Sequence, residues 1–199
     1  MTRKQLATGL GWAGLITATE LLARRTLHRR AHAWLLSYSW LAAAATLGTL
    51  NPPPRPSPAR GEGESAATGF RFSRLSLVGL ALAAVGYPLG RRLLRDPSTG
   101  PPRDPLLLEL GAIEMVAAVE ELAWGGIVEP ALGGPTTAAL FALKHVAIDG
   151  RWRRAPGLFT FWLGLSLQRQ RWPAAALVSH LVLNTVGVTQ GHLTKQDRF

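Results

Sequence analysis

The chain has 199 residues, the size of one domain or at most two. It contains no cysteine, which excludes disulfides, cysteine-ligated zinc, iron–sulfur clusters and a thiol nucleophile. Its 22 Lys and Arg residues outnumber the 12 acidic residues. The arginines cluster between apolar stretches, without interleaved exposed aromatics. We therefore interpret them as flanks of membrane segments that meet anionic lipid, and we expect no nucleic-acid partner.

Seven apolar stretches run through the chain, separated by segments rich in Arg, Pro and Gly. Most approach the roughly 17–25 helical residues that cross a bilayer. Ala and Leu dominate them and period-2 alternation is absent, so helices are predicted and strands are not. We predict an all-α fold, a polytopic transmembrane helical bundle of about six or seven membrane-embedded helices. The stretches are Leu6–Leu22, Ala33–Leu50, Leu75–Gly90, Leu106–Val128, Ala131–Ile148, Pro156–Gln168 and Pro173–Thr189.

Composition divides the chain into five parts. Residues 1–50 are predicted to form an N-terminal pair of transmembrane helices, and residues 51–74 a Pro/Gly-rich linker. Residues 75–105 hold a third helix and a polar link, 106–190 a core with the candidate site, and 191–199 a polar tail. The positive-inside rule places the basic segments after the first, third and fifth stretches, with the C-terminus, in the cytoplasm.

Ionisable residues inside the apolar stretches are the main functional signal, because charge is costly in a membrane and usually marks function. The alternative is that they are polar contacts between helices. We favour function, because the residue types together match a hydrolytic site. The fourth, fifth and seventh stretches contain Glu109, Glu114, Glu120, Glu121, Lys144, His145, His180 and Asn184.

The types and spacing of these residues favour amide hydrolysis with water as the nucleophile. A carboxylate beside a histidine in a low-dielectric pocket can activate water as a general base. A second histidine with an amide can stabilise a developing oxyanion. His180 and Asn184 are four residues apart and share one helix face. Phe141 precedes His145 by one turn and is expected to pack against its ring.

Three motifs then occur in order: Glu120–Gly126 (EELAWGG), Phe141–His145 (FALKH) and His180–Asn184 (HLVLN). Together they resemble the motifs of the CAAX-protease and bacteriocin-processing family of intramembrane endopeptidases, over about residues 106–190. The resemblance implies a glutamate-type protease that cuts a membrane-associated peptide or protein tail. The Ala- and Arg-rich composition suggests a bacterial protein of the inner membrane, and a myxosortase-like enzyme that cuts sorting signals is one specific possibility.

By this resemblance, Glu120 and His145 activate the water, while His180 and Asn184 stabilise the oxyanion. Glu121 points about 100° away from Glu120 on a helix, so it has a different, structural role. No cofactor is expected. A zinc site is the disfavoured alternative, because the chain has neither a His-Glu-x-x-His pair nor a cysteine. Its ligands would be Glu120, His145 and His180. The residues expected to support the site are Glu121, Phe141, Lys144 and Glu114.

One position departs from the family pattern. The first motif usually carries an arginine four residues after its second glutamate, where this chain has Gly125. We expect Lys144 to replace that cation and to serve Glu121 or Glu114. The departure keeps a second function class open, a weak or inactive relative that acts in bacteriocin immunity, peptide binding or scaffolding. A proton-coupled transporter is a third class, but it would need inverted repeats, which the sequence does not show.

Overall fold

The computed structural model describes residues 1–27, 29–50, 74–94, 100–170 and 172–196. These ranges are helical without any strand, so the predicted all-α fold is confirmed. The predicted linker lies outside them except for its last residue. The elements are α1 (Arg3–Thr26), α2 (Arg30–Leu50), α3 (Arg74–Leu93), α4 (Leu106–Glu120), a π-helical segment (Glu121–Val128), α5 (Glu129–Leu132), α6 (Gly134–Asp149), a 3₁₀ turn (Trp152–Arg154), α7 (Ala155–Arg169) and α8 (Pro173–Thr194).

Six of the seven predicted apolar stretches each correspond to one helical run, and the fourth of them is not α-helical throughout. The fifth was predicted to begin at Ala131, but its first residues belong to α5 and the chain turns at Gly133 before α6. After Glu120 the helix widens into the π-helical segment and returns to α geometry at Glu129. Such segments are rare and occur often at functional sites. The run ends at Gly133, whose φ of +82° favours glycine, and α6 begins directly afterwards. The widening therefore falls on the first motif, immediately after the glutamate expected to act as the base.

Close glycine contacts join α3 to α7. A Cβ at Gly79 would lie 2.6 Å from the carbonyl oxygen of Gly164, and a Cβ at Gly90 would lie 2.9 Å from the Cα of Gly157. Small residues on both helices let the two backbones approach. Elsewhere α2 packs on α1 and α4, and α8 packs on α4 and α7. Helices from both halves of the chain thus surround α4 and the π-helical segment.

Ion pairs connect several helix termini at one end of the bundle. Arg24 near the end of α1 lies 3.7 Å from Asp149 at the end of α6. At the start of α4, the buried Glu109 pairs with Arg30 of α2 and lies 2.8 Å from His192 Nε2 of α8. The segments that the positive-inside rule placed on one side therefore meet at one end.

Among the described helices, α1 alone is both long and apolar enough to cross a membrane by length and hydropathy. A single such helix near an N-terminus also occurs as a signal sequence or as the core helix of a soluble protein. This finding alone does not establish a polytopic bundle.

Candidate functional site

The four residues predicted to be catalytic line one cavity. It has a volume of about 900 Å³ and is bordered by residues of α1, α3, α4, α6, α7 and α8. Glu120 comes from the end of α4, His145 from α6, and His180 and Asn184 from α8. The fold thus brings together side chains that are up to 64 residues apart in the chain. Groups that act on one substrate must meet in one space, and these four do.

Glu120 belongs to a buried cluster of charged groups. Its Oε1 accepts a hydrogen bond from Lys144 Nζ at 2.5 Å and lies 3.0 Å from the Tyr38 hydroxyl, which has a single proton for this oxygen and for Glu20. Glu20 is the second carboxylate of the cluster. Its Oε2 lies 3.0 Å from the same Nζ and 2.7 Å from the same hydroxyl. Because all four side chains are buried, one ammonium and one phenol serve two carboxylates away from water.

The expectation that Lys144 serves Glu121 or Glu114 is wrong. Lys144 is buried on α6, which packs against α1. It points towards α1 and α2, where Glu20 supplies a second carboxylate. Glu114 instead accepts a hydrogen bond from the Thr185 hydroxyl at 2.5 Å.

Glu20 and Tyr38 were not predicted as members of this site. Glu20 is the one acidic residue of α1, and it lies inside the first apolar stretch. A carboxylate inside an apolar stretch is costly in a membrane, so Glu20 carried the same signal as the glutamates of the fourth stretch. Tyr38 carried no comparable signal, because a tyrosine in an apolar helix is ordinary core composition.

Glu121 has a separate set of partners. Its Oε2 accepts hydrogen bonds from Arg169 Nη2 at 2.7 Å and Nε at 3.2 Å, and its Oε1 lies 3.1 Å from His180 Nδ1. Arg169 also pairs through Nη1 with Glu129. The cation that serves Glu121 is therefore Arg169, at the end of α7. Neighbouring glutamates thus use different cations, as their divergence on the helix predicts.

Gly125 leaves the space that the Arg169 guanidinium occupies. A Cβ at position 125 would lie 2.6 Å from Arg169 Nε and 2.8 Å from Cζ. The guanidinium also lies 5.1 Å from the centre of the Trp162 ring, a cation–π distance. In this chain an arginine from a distant helix reaches the carboxylate that the motif arginine would be expected to serve. Glu121 and Arg169 are 48 positions apart in the chain, so no local spacing predicts that they pair.

His145 presents an unpartnered nitrogen beside Glu120. Its buried Nε2 has no hydrogen-bond partner among the described residues and lies 4.0 Å from Glu120 Oε1. The ring packs edge-on against Phe141 with centroids 4.8 Å apart, so the predicted contact is confirmed. Phe141 in turn stacks on Trp162 at 4.3 Å. The imidazole is thus held by aromatic packing, which leaves Nε2 available to a ligand.

His180 is held between aromatic rings and carboxylates. Its ring makes an edge contact with Phe161 at a centroid distance of 5.1 Å. While Nδ1 contacts Glu121, Nε2 lies 3.6 Å from Glu120 Oε2. The two ring nitrogens therefore face different glutamates. Asn184, one turn further along α8, is buried and borders the same cavity.

The described residues contain no group of three or more His, Asp or Glu side chains arranged to hold a metal ion. At Glu120, Lys144 bonds Oε1. A divalent cation on that carboxylate would lie against an ammonium group.

Comparison with known proteins adds no assignment, because no family profile, curated protein or solved structure matches the chain.

Lys144→Met removes the ammonium group between two buried carboxylates. We expect it to destabilise the protein by about 3–5 kcal/mol, the usual cost of breaking a buried ion pair. Adding Glu20→Gln removes one of the two carboxylate charges left without the ammonium group and should recover part of that loss. Thermal unfolding of the single and double variants in detergent measures both effects. A wild-type melting temperature for Lys144→Met would contradict the cluster.

Gly125→Ala should push the Arg169 guanidinium away from Glu121. The lost charged hydrogen bonds are worth on the order of 1–3 kcal/mol, so the melting temperature should fall. Gly111→Ala is the matched control, because a Cβ there meets nothing within 4 Å and alanine favours the helix. Equal effects of the two substitutions would show that Gly125 is not reserved for Arg169.

Proposed function

We propose that this protein is an integral-membrane endopeptidase that hydrolyses a peptide bond of a membrane-associated peptide or protein tail. The observation that carries the proposal is the convergence of Glu120, His145, His180 and Asn184 on one cavity. The resemblance of their three motifs to those of the CAAX-protease and bacteriocin-processing family supports the same reaction. A bacterial sorting signal, as for a myxosortase-like enzyme, is the substrate class we propose to test first.

The contacts of Glu120 suggest how the reaction runs. Lys144 bonds its Oε1, and Oε2, which lies 3.6 Å from His180 Nε2, is the oxygen we assign to the water. Water bound between this carboxylate and His145 attacks the carbonyl carbon and gives its proton to Glu120. His180 and Asn184 donate hydrogen bonds to the oxygen that becomes negative. The proton then passes to the leaving nitrogen as the C–N bond breaks, which gives an amine and a carboxylic acid that keeps the second proton of the water.

An apolar outside around a charged inside supports a membrane location. Val178, Val182 and Val186 form a stripe along α8, each more than half exposed. Large contiguous apolar faces are unfavourable in water but match lipid chains. The outward side of α3 is similar, with exposed Leu75, Leu77, Val78, Leu80, Val85 and Leu89. On this basis we propose a polytopic bundle in the bacterial inner membrane, with the long helices embedded.

The basic end of the bundle supports a partnership with anionic lipid. The helix termini that meet there carry exposed arginines, and these would lie at the cytoplasmic surface under the positive-inside rule. Examples at the ends of α1 and α3 and beside the 3₁₀ turn are Arg25, Arg92 and Arg153.

The alternative is a weak or inactive relative that acts in bacteriocin immunity, peptide binding or scaffolding. Its sequence argument was the missing arginine at Gly125. Because Arg169 bonds Glu121, the absence of that arginine does not leave the carboxylate without a cation. The geometry therefore favours the enzyme.

Single substitutions in the cavity should remove cleavage without removing the fold. We expect Glu120→Gln, His145→Ala and His180→Ala to abolish it, and Asn184→Ala to slow it by about 10²–10³-fold, the usual cost of one oxyanion donor. The measurement is cleavage of tagged candidate substrates from the same genome by detergent-purified protein. Val182→Ala, on the outer face of α8, is the control that should cleave like the wild type. Wild-type turnover by Glu120→Gln would refute the mechanism.

Cleavage should also survive exhaustive chelation, because the proposed base is a carboxylate already paired with an ammonium group. The assay is repeated after treatment with o-phenanthroline, with added zinc as the second arm. Loss of activity that zinc restores would establish Glu120, His145 and His180 as metal ligands instead.

A further inference from the structure

The cavity of the candidate site has a second, basic end. One arginine comes from the last turn of α1, two from the last turn of α3 and one from the 3₁₀ turn before α7. These side chains are Arg24, Arg91, Arg92 and Arg154. None of them takes part in the proposed reaction, and Arg154 is only 3% exposed. Cations that line an internal cavity are costly unless they bind an opposite charge, so this end is a candidate binding site.

The carboxylates of the described residues do not balance these arginines. Asp149 lies 3.7 Å from Arg24 Nη2 and 3.5 Å from Arg154 Nη1, so two arginines share one carboxylate. Arg24 Nε also lies 3.9 Å from Glu20, whose nearer cation is Lys144 at 3.0 Å. The carboxylates that border the cavity are Glu20, Glu120 and Asp149. With Lys144, five cations lie in or against this wall, before either histidine of the cavity is counted, and an anion would offset the excess.

Arg24 has hydrogen-bond donors to spare. Its ion-pair distances of 3.7 and 3.9 Å are longer than hydrogen bonds, and its buried Nε has no hydrogen-bond partner among the described residues. The guanidinium lies 5.2 Å from the centre of the Trp34 ring, which also borders the cavity. The aromatic ring thus holds the arginine against the wall, while its N–H groups can bind a phosphate or carboxylate oxygen.

The same cavity reaches the apolar outside of the bundle between α3 and α8. Val85 and Leu89 of α3 and Val186 of α8 border it, and all three belong to the exposed faces that we propose meet lipid. Leu158 and Leu183 continue this apolar wall. An occupant with an anionic head and an apolar chain therefore matches both the basic end and the side opening. In a bilayer, an anionic phospholipid is such an occupant.

We propose that the cavity binds one anionic phospholipid, with its phosphate among Arg24, Arg91 and Arg154 and one acyl chain between α3 and α8. Depth supports a headgroup at this position, because the arginines lie at helix ends, where the bilayer surface would be. His145 lies one turn deeper than Asp149 on α6. This site encloses a lipid, unlike the general attraction of anionic lipid to exposed surface arginines. The proposal rests on the proposed membrane location and does not depend on the proposed catalysis.

A bound lipid would compete with a peptide substrate. The arginines and the four candidate catalytic residues line one cavity of about 900 Å³, so an acyl chain in it takes space that the peptide needs. We therefore expect anionic lipid to raise KM for the substrate and to leave kcat unchanged. An acidic segment of the substrate is the other ligand that these arginines could bind, but the opening to the lipid-facing surface favours the phospholipid.

The test is native mass spectrometry of the full-length protein in an uncharged detergent, mixed with equal amounts of phosphatidylglycerol and phosphatidylcholine that carry the same chains. We expect the wild type to retain one phosphatidylglycerol in preference. Arg24→Gln and Arg154→Gln should each weaken its binding about tenfold, the effect of losing one charged hydrogen bond. Arg25→Gln and Arg153→Gln are the matched controls, because these neighbouring arginines are exposed and are not among the residues that border the cavity. They should bind the lipid like the wild type.

The position of the lipid is tested with a single thiol, since the chain has no cysteine. Ala84→Cys places the thiol on the cavity wall, and Val182→Cys places it on the outer face of α8. Phosphatidylglycerol should slow the alkylation of the cavity thiol about tenfold and leave the outer thiol unchanged. Adding Arg24→Gln should remove most of this protection.

Four results would overturn the proposal. Equal loss of binding in all four arginine variants would show a diffuse attraction to surface charge. Equal retention of the two lipids by the wild type would show no selection of the anion, and this result holds even where a variant fails to fold. Glycerol phosphate that competes as well as the lipid would identify a soluble anion as the ligand. If no phosphatidylglycerol is retained and Arg24→Gln instead raises KM for a cleaved substrate, the arginines bind the peptide.

The two proposals fail separately. A protein that binds phosphatidylglycerol in the cavity but cleaves no peptide would contradict the proposed function alone. A protein that cleaves a peptide and retains neither lipid would contradict the lipid site alone.

Discussion

Two adjacent glutamates lie at the junction of α4 and the π-helical segment, and each needs a cation from a surrounding helix. Glu120 and Glu121 lie in an apolar interior and point in different directions, so one cation cannot serve both. Lys144 from α6 serves the first and Arg169 from α7 serves the second. Each cation also binds another carboxylate, Glu20 for the lysine and one on α5 for the arginine. The two pairs thereby connect helices from both ends of the chain to α4.

The two cations suit the two positions because their shapes differ. Lys144 is a compact point charge with three donors, and it meets three oxygens that converge on one point, from Glu20, Tyr38 and Glu120. Arg169 is a planar fork whose nitrogens point in fixed directions, and it spans two carboxylates eight residues apart on one helical run. Gly125 provides the room for this plane.

The sequence predicted the helices and the four cavity residues well, because both depend on local patterns. Apolar stretches give helices, and charges inside those stretches mark the site, which is how Glu120, His145 and His180 were found. The sequence did not predict the partners. The direction of the Lys144 side chain and the contact between Arg169 and Glu121 depend on how distant helices pack. They also depend on the π-helical segment, which the hydropathy pattern did not predict.

The resemblance led us to expect an arginine at position 125, and in the structure the cation of Glu121 comes from another helix. The missing side chain at Gly125 suggested an impaired site, because a buried Glu121 without a cation would be costly. In the structure the small residue and the distant arginine are complementary, since any side chain at 125 would meet the guanidinium. Glu121 then keeps both a cation and a histidine, one on each oxygen. The position of a cation around Glu121, and not its place in the motif, therefore decides whether this carboxylate is paired and which of its oxygens faces His180.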